Sequence, residues 1–329
     1  MRPLVSVILP VFNDEARVGR CVQSLLDQSY NKIEYIIVDD GCTDDSYKVI
    51  CRVIDSYPNR KNNCIILRHA QNRGSYAARL TGLSAATGVY IIQVDSDDYA
   101  SPNFIEHLVQ TALRDDADIV ICDYVAIKSN YVEHVAIASP QSPEQLMCNI
   151  ITGDIHAGLW NKLMRMDLIS SFDLRPGIVR SMYDDKVISM QAAYFSKRIS
   201  FVGEPLYEYT VRNSNSITDS EKYNIGPDNA FVHFAEEFFA HVPVTDAMIL
   251  ALSKYGMGIR GKALLYGNKE ELAFSYKYVE TSNLSTIFSL STIPIHYKIA
   301  LACEHLGMPH VLNAIRWCIG RFLIRHDIQ

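Results

Sequence analysis

The chain has 329 residues, 48% of them hydrophobic and 21% charged, and a formal net charge of −6. That length holds one large α/β domain or two smaller ones, and the composition excludes a disordered or fibrous protein. The acidic balance removes the electrostatic case for a nucleic-acid partner but leaves nucleotides open, because a metal ion reconciles phosphates with carboxylates.

Short β-branched runs alternate with amphipathic segments over the first 125 residues. LVSVIL (4–9) predicts a strand, and Val18, Cys21, Val22, Leu25 and Leu26 recur at helical spacing after it. EYIIVDD (34–40) is a second strand ending in acids and Gly41, with Thr43-Asp44-Asp45 supplying capping chemistry for a helix to about Ser56. CIILRH (64–69) is a third strand, and SYAARLTGLSAATG (75–88) a helix with Gly88 as its stop signal. VYIIQV (89–94) is a fourth strand, PNFIEHLVQTALRD (102–115) a helix and ADIVICDY (117–124) a fifth strand. Near-continuously apolar strands joined by helices imply an α/β fold with a mainly parallel sheet covered on both faces. Ligands of such sheets bind beyond the carboxyl ends of the strands. The polar clusters Pro10 to Asp14, Asp39 to Gly41 and Asp95 to Asp98 fall there.

The rhythm becomes irregular after about 125 and helical from about 222. A boundary is expected near 218–226, giving a catalytic domain over 1–220 (halves 1–125 and 126–220) and a helical region over 221–329. The apolar run Leu4 to Phe12 is too short for a signal-peptide core, and no stretch reaches the ~20 apolar residues of a membrane span. Eight scattered cysteines without a C-x-x-C pair are expected to be reduced thiols of a cytoplasmic chain.

Residues i and i+2 of an extended segment point the same way, so Asp95 and Asp97 can converge on Mg²⁺ or Mn²⁺. A solvated turn, with Asp98 capping the next helix, is the structural alternative. No Walker sequence or G-x-G-x-x-G is present, so a diphosphate here would be held by metal and side chains.

The blocks PVFND, VDDG and VDSDD, in this order and spacing, resemble glycosyltransferase family 2. The resemblance is close over about the first 125 residues and weaker to about 218. It implies a GT-A (Rossmann-like) fold with a C-terminal helical region. It also implies inverting transfer of a hexose or N-acetylhexosamine from a nucleotide sugar to a glycan or lipid-linked glycan. Carried over by position, Pro10, Phe12 and Asn13 match the loop that packs on the nucleobase, and Asp14 an acid near the base or ribose. Asp40, with Asp39 beside it, matches the acid that accepts from the base; accepting from an imide N–H favours UDP. Asp95 matches the acid near the ribose, followed by Ser96, and Asp97 the metal ligand, with Asp95 contributing. Arg73 and Arg79 match basic positions that brace the site or the diphosphate.

Inverting displacement needs a base for the acceptor hydroxyl, and Asp184-Asp185 matches the family's acidic pair, with Asp185 as the base. An acidic pair early in a helix also stabilises its dipole, so that reading stays open. LWNKLMR (159–165) resembles the segment before this pair, where Trp160 and Asn161 shape the acceptor pocket or simply fill core. YEYTVRNSNSIT resembles the loop where an Arg or His can contact the diphosphate, with Arg212 as the candidate and a solvated loop as the alternative. Cys42 replaces the family's usual Ser, and Leu80 its common Asn. A degenerate, non-catalytic nucleotide-sugar-binding subunit is the alternative to an enzyme. In the last helix Ile315, Ile319, Phe322 and Leu323 share a face flanked by Arg316, Arg321 and Arg325. Packing on the catalytic domain or a second copy, and resting on the inner face of an anionic membrane, are the two expectations for it.

Overall fold

The computed structural model describes residues 2–175, 183–211, 226–267, 271–272, 275, 284–289 and 293–326. The chain divides into two compact units, Met1–Met147 with Ala157–Ile217, and Cys148–His156 with Thr218–Gln329.

The first unit begins with β1 (Val5–Val11), α1 (Val18–Leu26), β2 (Ile33–Asp39), α2 (Ser46–Asp55), the single turn α3 (Pro58–Lys61), β3 (Cys64–Arg68), α4 (Ser75–Ala85) and β4 (Tyr90–Gln93). It continues with β5 (Tyr99–Ala100), α5 (Phe104–Asp115), β6 (Ile119–Ile127) and β7 (Val132–Val135), after which α6 (Pro143–Thr152) follows. Next come β8 (Lys162–Arg165), α7 (Met166–Ile169), α8 (Asp184–Phe195) and β9 (Ile199–Thr210). Among the described residues the strands form one sheet in the order β3-β2-β1-β4-β8-β6-β9-β5, with β7 on β6.

The pattern-based expectation of parallel strands holds where the pattern was regular: β1 pairs in parallel with β2 and β4, and β2 with β3. β8 inserts between β4 and β6, antiparallel to both, and β5 runs antiparallel to β9. Val5, Val7, Ile8 and Leu9 of β1 are at most 1% exposed, as a strand covered on both faces requires. The chain leaves β1 toward β2 and β3 on one side and returns to β4 on the other. That reversal opens a crevice at the carboxyl ends of β1 and β4.

Helix α1 buries Val18, Cys21, Val22, Leu25 and Leu26 against this sheet, the face predicted from spacing. Each fully buried aliphatic side chain contributes about 1.5–3 kcal/mol. Asp44 supplies the capping contact expected before α2, its Oδ1 accepting from the Ser46 N–H at 3.0 Å. Helix α4 stops at Ala85, three residues before the predicted stop. Gly88 instead lets the chain pass close to β1: its N–H donates to Ser6 Oγ at 2.8 Å, and an added Cβ would lie 2.6 Å from that oxygen and 2.7 Å from the Ser6 nitrogen.

The second unit carries α9 (Gly226–His241), α10 (Asp246–Tyr266), α11 (Leu284–Ser289), α12 (Ile295–His305) and α13 (Pro309–His326). Thr245 caps α10 by accepting from the Met248 N–H, and the buried Arg260 of α10 pairs with Glu304 of α12. Ile319, Arg321, Phe322, Leu323 and Arg325, expected to form an amphipathic edge, have side chains outside the described set. No helix among the described residues is long and apolar enough to cross a membrane. Cys21, Cys42, Cys51, Cys64, Cys122 and Cys303 are free thiols.

Replacing Gly88 by Ala is expected to cost about 1–3 kcal/mol by forcing β1 and the β4 entry apart. Chemical denaturation measures this, and an unchanged midpoint would show that the close approach relaxes freely.

Candidate active site

The predicted polar clusters meet at the carboxyl ends of β1, β2 and β4. Pro10 is the penultimate residue of β1, and Phe12 just beyond it is 45% exposed, an aromatic face left open at the crevice. Asn13 adopts φ +46°, uncommon outside glycine. Its Oδ1 accepts from the Thr43 N–H at 2.8 Å and its own N–H donates to Cys42 Sγ at 3.3 Å, so the Cys at the usual Ser position still fastens the first loop. Asp14 is 3% exposed. Its N–H donates to Ser46 Oγ at 2.8 Å, its carboxylate pairs with Arg17, and its Oδ2 accepts from Ser96 Oγ at 2.7 Å. Asp14 and Ser96 thus close the crevice between the β1 and β4 ends.

Asp39 and Asp40 are fully buried and hold the end of β2. Asp39 accepts from the Cys42 N–H at 2.8 Å and from Arg68 Nε at 2.7 Å. Burial works against its charge, but these donors prevail and lower its pKa. Asp40 Oδ1 accepts from the Arg73 N–H (2.9 Å) and meets His69 Nδ1 at 2.5 Å, while Oδ2 accepts from the Gly74 N–H (2.8 Å). A carboxylate has about four acceptor positions, and these contacts use three. Arg73 contributes its backbone here, its side chain being exposed.

Arg79 ties the site together. It is 7% exposed on α4, and its Nη2 donates to Asp95 Oδ1 (2.8 Å), its Nε to Asp184 Oδ2 (3.1 Å) and its Nη1 to Gln93 Oε1 (3.0 Å). Ser75 Oγ adds a donor to the same Asp184 oxygen at 3.1 Å. Burial opposes the guanidinium charge, but Asp95, Asp184 and Asp185 outweigh it and hold the group charged. One cation therefore joins the acids after β4 to the acids that open α8.

Asp97 and Asp98 lie in the turn between β4 and β5. The Asp97 carbonyl accepts from Thr210 Oγ1 at 2.9 Å, and Asp98 Oδ1 accepts from the Thr210 N–H at 2.8 Å. Asp98 is thereby an anchor of this turn to β9, not a helix cap. Its pKa is pushed up to about 9, first by burial and then by the charges of Asp95 and Asp97. No group of three His, Cys, Asp or Glu among the described residues is arranged to hold a metal by itself. Mg²⁺ and Mn²⁺ at phosphate sites take one or two carboxylates and complete their shell with substrate oxygens and water. Asp95 and Asp97 supply carboxylates of the kind that mode takes, and their charges, after burial, lift Asp98.

The second acidic pair opens α8 directly after Tyr183, whose φ of +70° turns the chain sharply into the helix. Asp185 Oδ1 accepts from the Lys186 N–H at 2.7 Å. Its pKa is raised to about 6 by burial and then by Asp184, with Arg79 pulling the other way. Of the preceding segment, Trp160 is core: 2% exposed, stacked between Tyr207 and Tyr209 at 4.9 Å from each. Asn161 is buried too, its Nδ2 donating to the Cys122 carbonyl at 3.0 Å. Arg212 lies outside the described residues. Reading by motif passed over Ser75, Gln93 and Lys162, the last lying between Asn161 and Leu163 in LWNKLMR.

Arg79→Met would leave Asp95 and Asp184 without their shared cation, and breaking one partner of a buried pair costs about 3–5 kcal/mol. Unfolding by urea should register that loss, with Arg79→Lys intermediate; a cost under about 1 kcal/mol would remove Arg79 as the organiser.

Residues 6–160 match the family model described as glycosyl transferase family 2. EpsH of Bacillus subtilis (strain 168) is 31% identical over 229 residues, 67% of this chain and 64% of EpsH, so the chain spans just under two thirds of that relative. Glycosyltransferase GlyG of Streptococcus pneumoniae serotype 4 (strain TIGR4) is 30% identical over 288 residues, 83% of this chain and 90% of GlyG. The crystal structure of S. aureus TarS 1–349 superposes with a TM-score of 0.65 at 17% identity, covering 92% of each chain, which establishes a shared GT-A fold. With the family's sequence blocks gathered at the carboxyl ends of β1, β2 and β4, and GlyG matched over most of its length, this chain belongs to glycosyltransferase family 2.

Proposed function

We propose that the chain is an inverting glycosyltransferase that moves a hexose or N-acetylhexosamine from a UDP-sugar to a hydroxyl of a glycan or lipid-linked glycan. The observation that carries this reading is the Arg79 bridge, which brings a nucleotide-side acid, Asp95, and the acidic pair at α8 to one guanidinium. TarS supports the donor class, since it has been crystallised with UDP-GlcNAc. The acceptor class, and work in the cytoplasm at the inner membrane face, rest on the resemblance.

Phe12 offers its exposed ring to a flat base, and Asp40 keeps one acceptor position for an imide N–H. Asp14, Ser96 and Asp95 line the ribose side of the crevice. A Mg²⁺ or Mn²⁺ held by Asp97 and Asp95 would supply electrophilic stabilisation of the departing diphosphate. Asp185 takes the proton of the acceptor hydroxyl as its oxygen bonds to the anomeric carbon and the bond from that carbon to the diphosphate oxygen breaks. The products are a glycoside of inverted configuration and UDP. A base works best with a pKa near the working pH, and burial beside Asp184 raises Asp185 toward it.

Asp185 acts as the carboxylate, so turnover should fall as pH drops through about 6 and level off above it. Asp185→Asn should lower transfer by ~10²-fold or more, the loss of a general base, with UDP affinity changed less than about twofold. Transfer near the wild-type rate in this variant would return the site to the non-catalytic, nucleotide-binding alternative.

A further inference from the structure

His69 directly follows β3, and its side chain is 7% exposed. Strands β2 and β3 run parallel with Asp39 opposite Arg68, so Asp40 and His69 leave the sheet side by side. The His69 N–H donates to the Asp39 carbonyl at 2.9 Å and extends that pairing by one bond. A buried imidazole needs a partner for each ring nitrogen. Nδ1 meets Asp40 Oδ1 at 2.5 Å, and Nε2 meets Thr81 Oγ1 of α4 at 2.9 Å. Both Asp40 oxygens already accept a backbone N–H, so Nδ1 carries the hydrogen in that contact. A hydroxyl donates or accepts as required, so Thr81 completes Nε2 in either protonation state of the ring.

The chain from His69 to Gly74 wraps the Asp40 carboxylate. Gly41, at φ +73°, lies so close to this loop that an added Cβ would stand 2.5 Å from the Gln71 carbonyl carbon and 2.6 Å from the Asn72 nitrogen. The Gly74 N–H that donates to Asp40 Oδ2 also reaches Asn72 Oδ1 at 2.9 Å. The backbone half of the cradle is thus fixed by close packing, and His69 supplies its side-chain half.

Asp40 Oδ1 takes two donors, the Arg73 N–H and His69 Nδ1, and Oδ2 takes one, the Gly74 N–H. At about two acceptor positions per oxygen, the position left among the described residues is on Oδ2. One fixed lone pair meets the imide N–H of uracil as a hydrogen bond and the lone pair of cytosine N3 as a repulsion. Without the imidazole hydrogen, Oδ1 gains a vacancy as well. The carboxylate is then free to turn, and the contrast between the two bases fades.

We infer that His69 is a positioning residue that sets base selectivity: it fills Asp40 Oδ1, so that the carboxylate presents one acceptor, on Oδ2, to the nucleobase. The inference rests on the reading of Asp40 as the acid that meets the base. His69 acts through Asp40, with Thr81 holding the far side of its ring.

The test compares calorimetric affinities of UDP and CDP, with Mn²⁺ present throughout, for the full-length parent, Asp40→Asn, His69→Leu and His69→Asn. Asn places an amide N–H where the ring has Nδ1, which keeps the donor to Asp40 and gives up the Thr81 contact. Leu fills the space and donates nothing. The preference for UDP over CDP should fall about tenfold or more in His69→Leu and stay within about threefold of the parent in His69→Asn, the scale of one directed hydrogen bond to a charged group. A preference kept in His69→Leu but lost in Asp40→Asn would overturn the inference and leave the reading of Asp40 standing. So would an equal fall in His69→Leu and His69→Asn, since the donor would then not be what matters. A parent without a UDP preference, or a preference that survives in Asp40→Asn, sinks the reading of Asp40 and the inference with it. Should His69→Leu fail to fold, His69→Gln takes its place under the same criterion, its amide sitting where Nε2 was and leaving Oδ1 unmet.

Discussion

The site depends on one buried guanidinium. Asp95 and Asp184 come from segments 89 positions apart in the sequence, and like charges brought together in a low-dielectric interior repel strongly. Arg79 makes their proximity favourable by donating to both, and its fork geometry fixes where each oxygen points. Gln93 and Ser75 take up the remaining directions, so the arrangement is specified by hydrogen bonds as well as charge. The acids gathered at the mouth of β4 are tolerable because this cation underlies them.

A second consequence is a division of labour among the carboxylates. Asp39 and Asp40 spend most of their acceptor capacity on backbone N–H groups and neighbouring side chains, which shapes the loops that frame the crevice. Asp98 is buried and pushed toward the neutral form, an anchor to β9 rather than a ligand. In the proposed reaction Asp95 and Asp97 would meet a cation and a ribose, and Asp185 an acceptor. Electrostatics, more than sequence order, sorts chemically identical side chains into structural and reactive ones.

Much of this was legible in the sequence because each early strand is a near-continuous apolar run that ends in a polar cluster. The parallel β3-β2-β1-β4 core, the buried face of α1 and the placing of Asp14, Asp40, Asp95 and Ser96 just beyond the carboxyl ends of β1, β2 and β4 follow from that pattern. What the pattern hid were features decided by tertiary partners. β8 has only four residues, and its antiparallel insertion between β4 and β6 has no local signature. Gly88 reads as a helix stop but serves a close backbone approach to Ser6, which only the paired strands reveal. Trp160 had two readings, and the stacking of Tyr207 and Tyr209 upon it settles for core.

The central claim is that these acids and Arg79 frame a metal-assisted site for a nucleoside diphosphate whose base Asp40 selects. Its most direct test is calorimetric titration of UDP, GDP, CDP and dTDP into the purified chain, each with Mn²⁺ and again with chelator. The account predicts that UDP binds most tightly, with affinity falling at least about tenfold on chelation, a change of about 1.4 kcal/mol. Equal binding with and without metal, or no binding of any of the four, would contradict it.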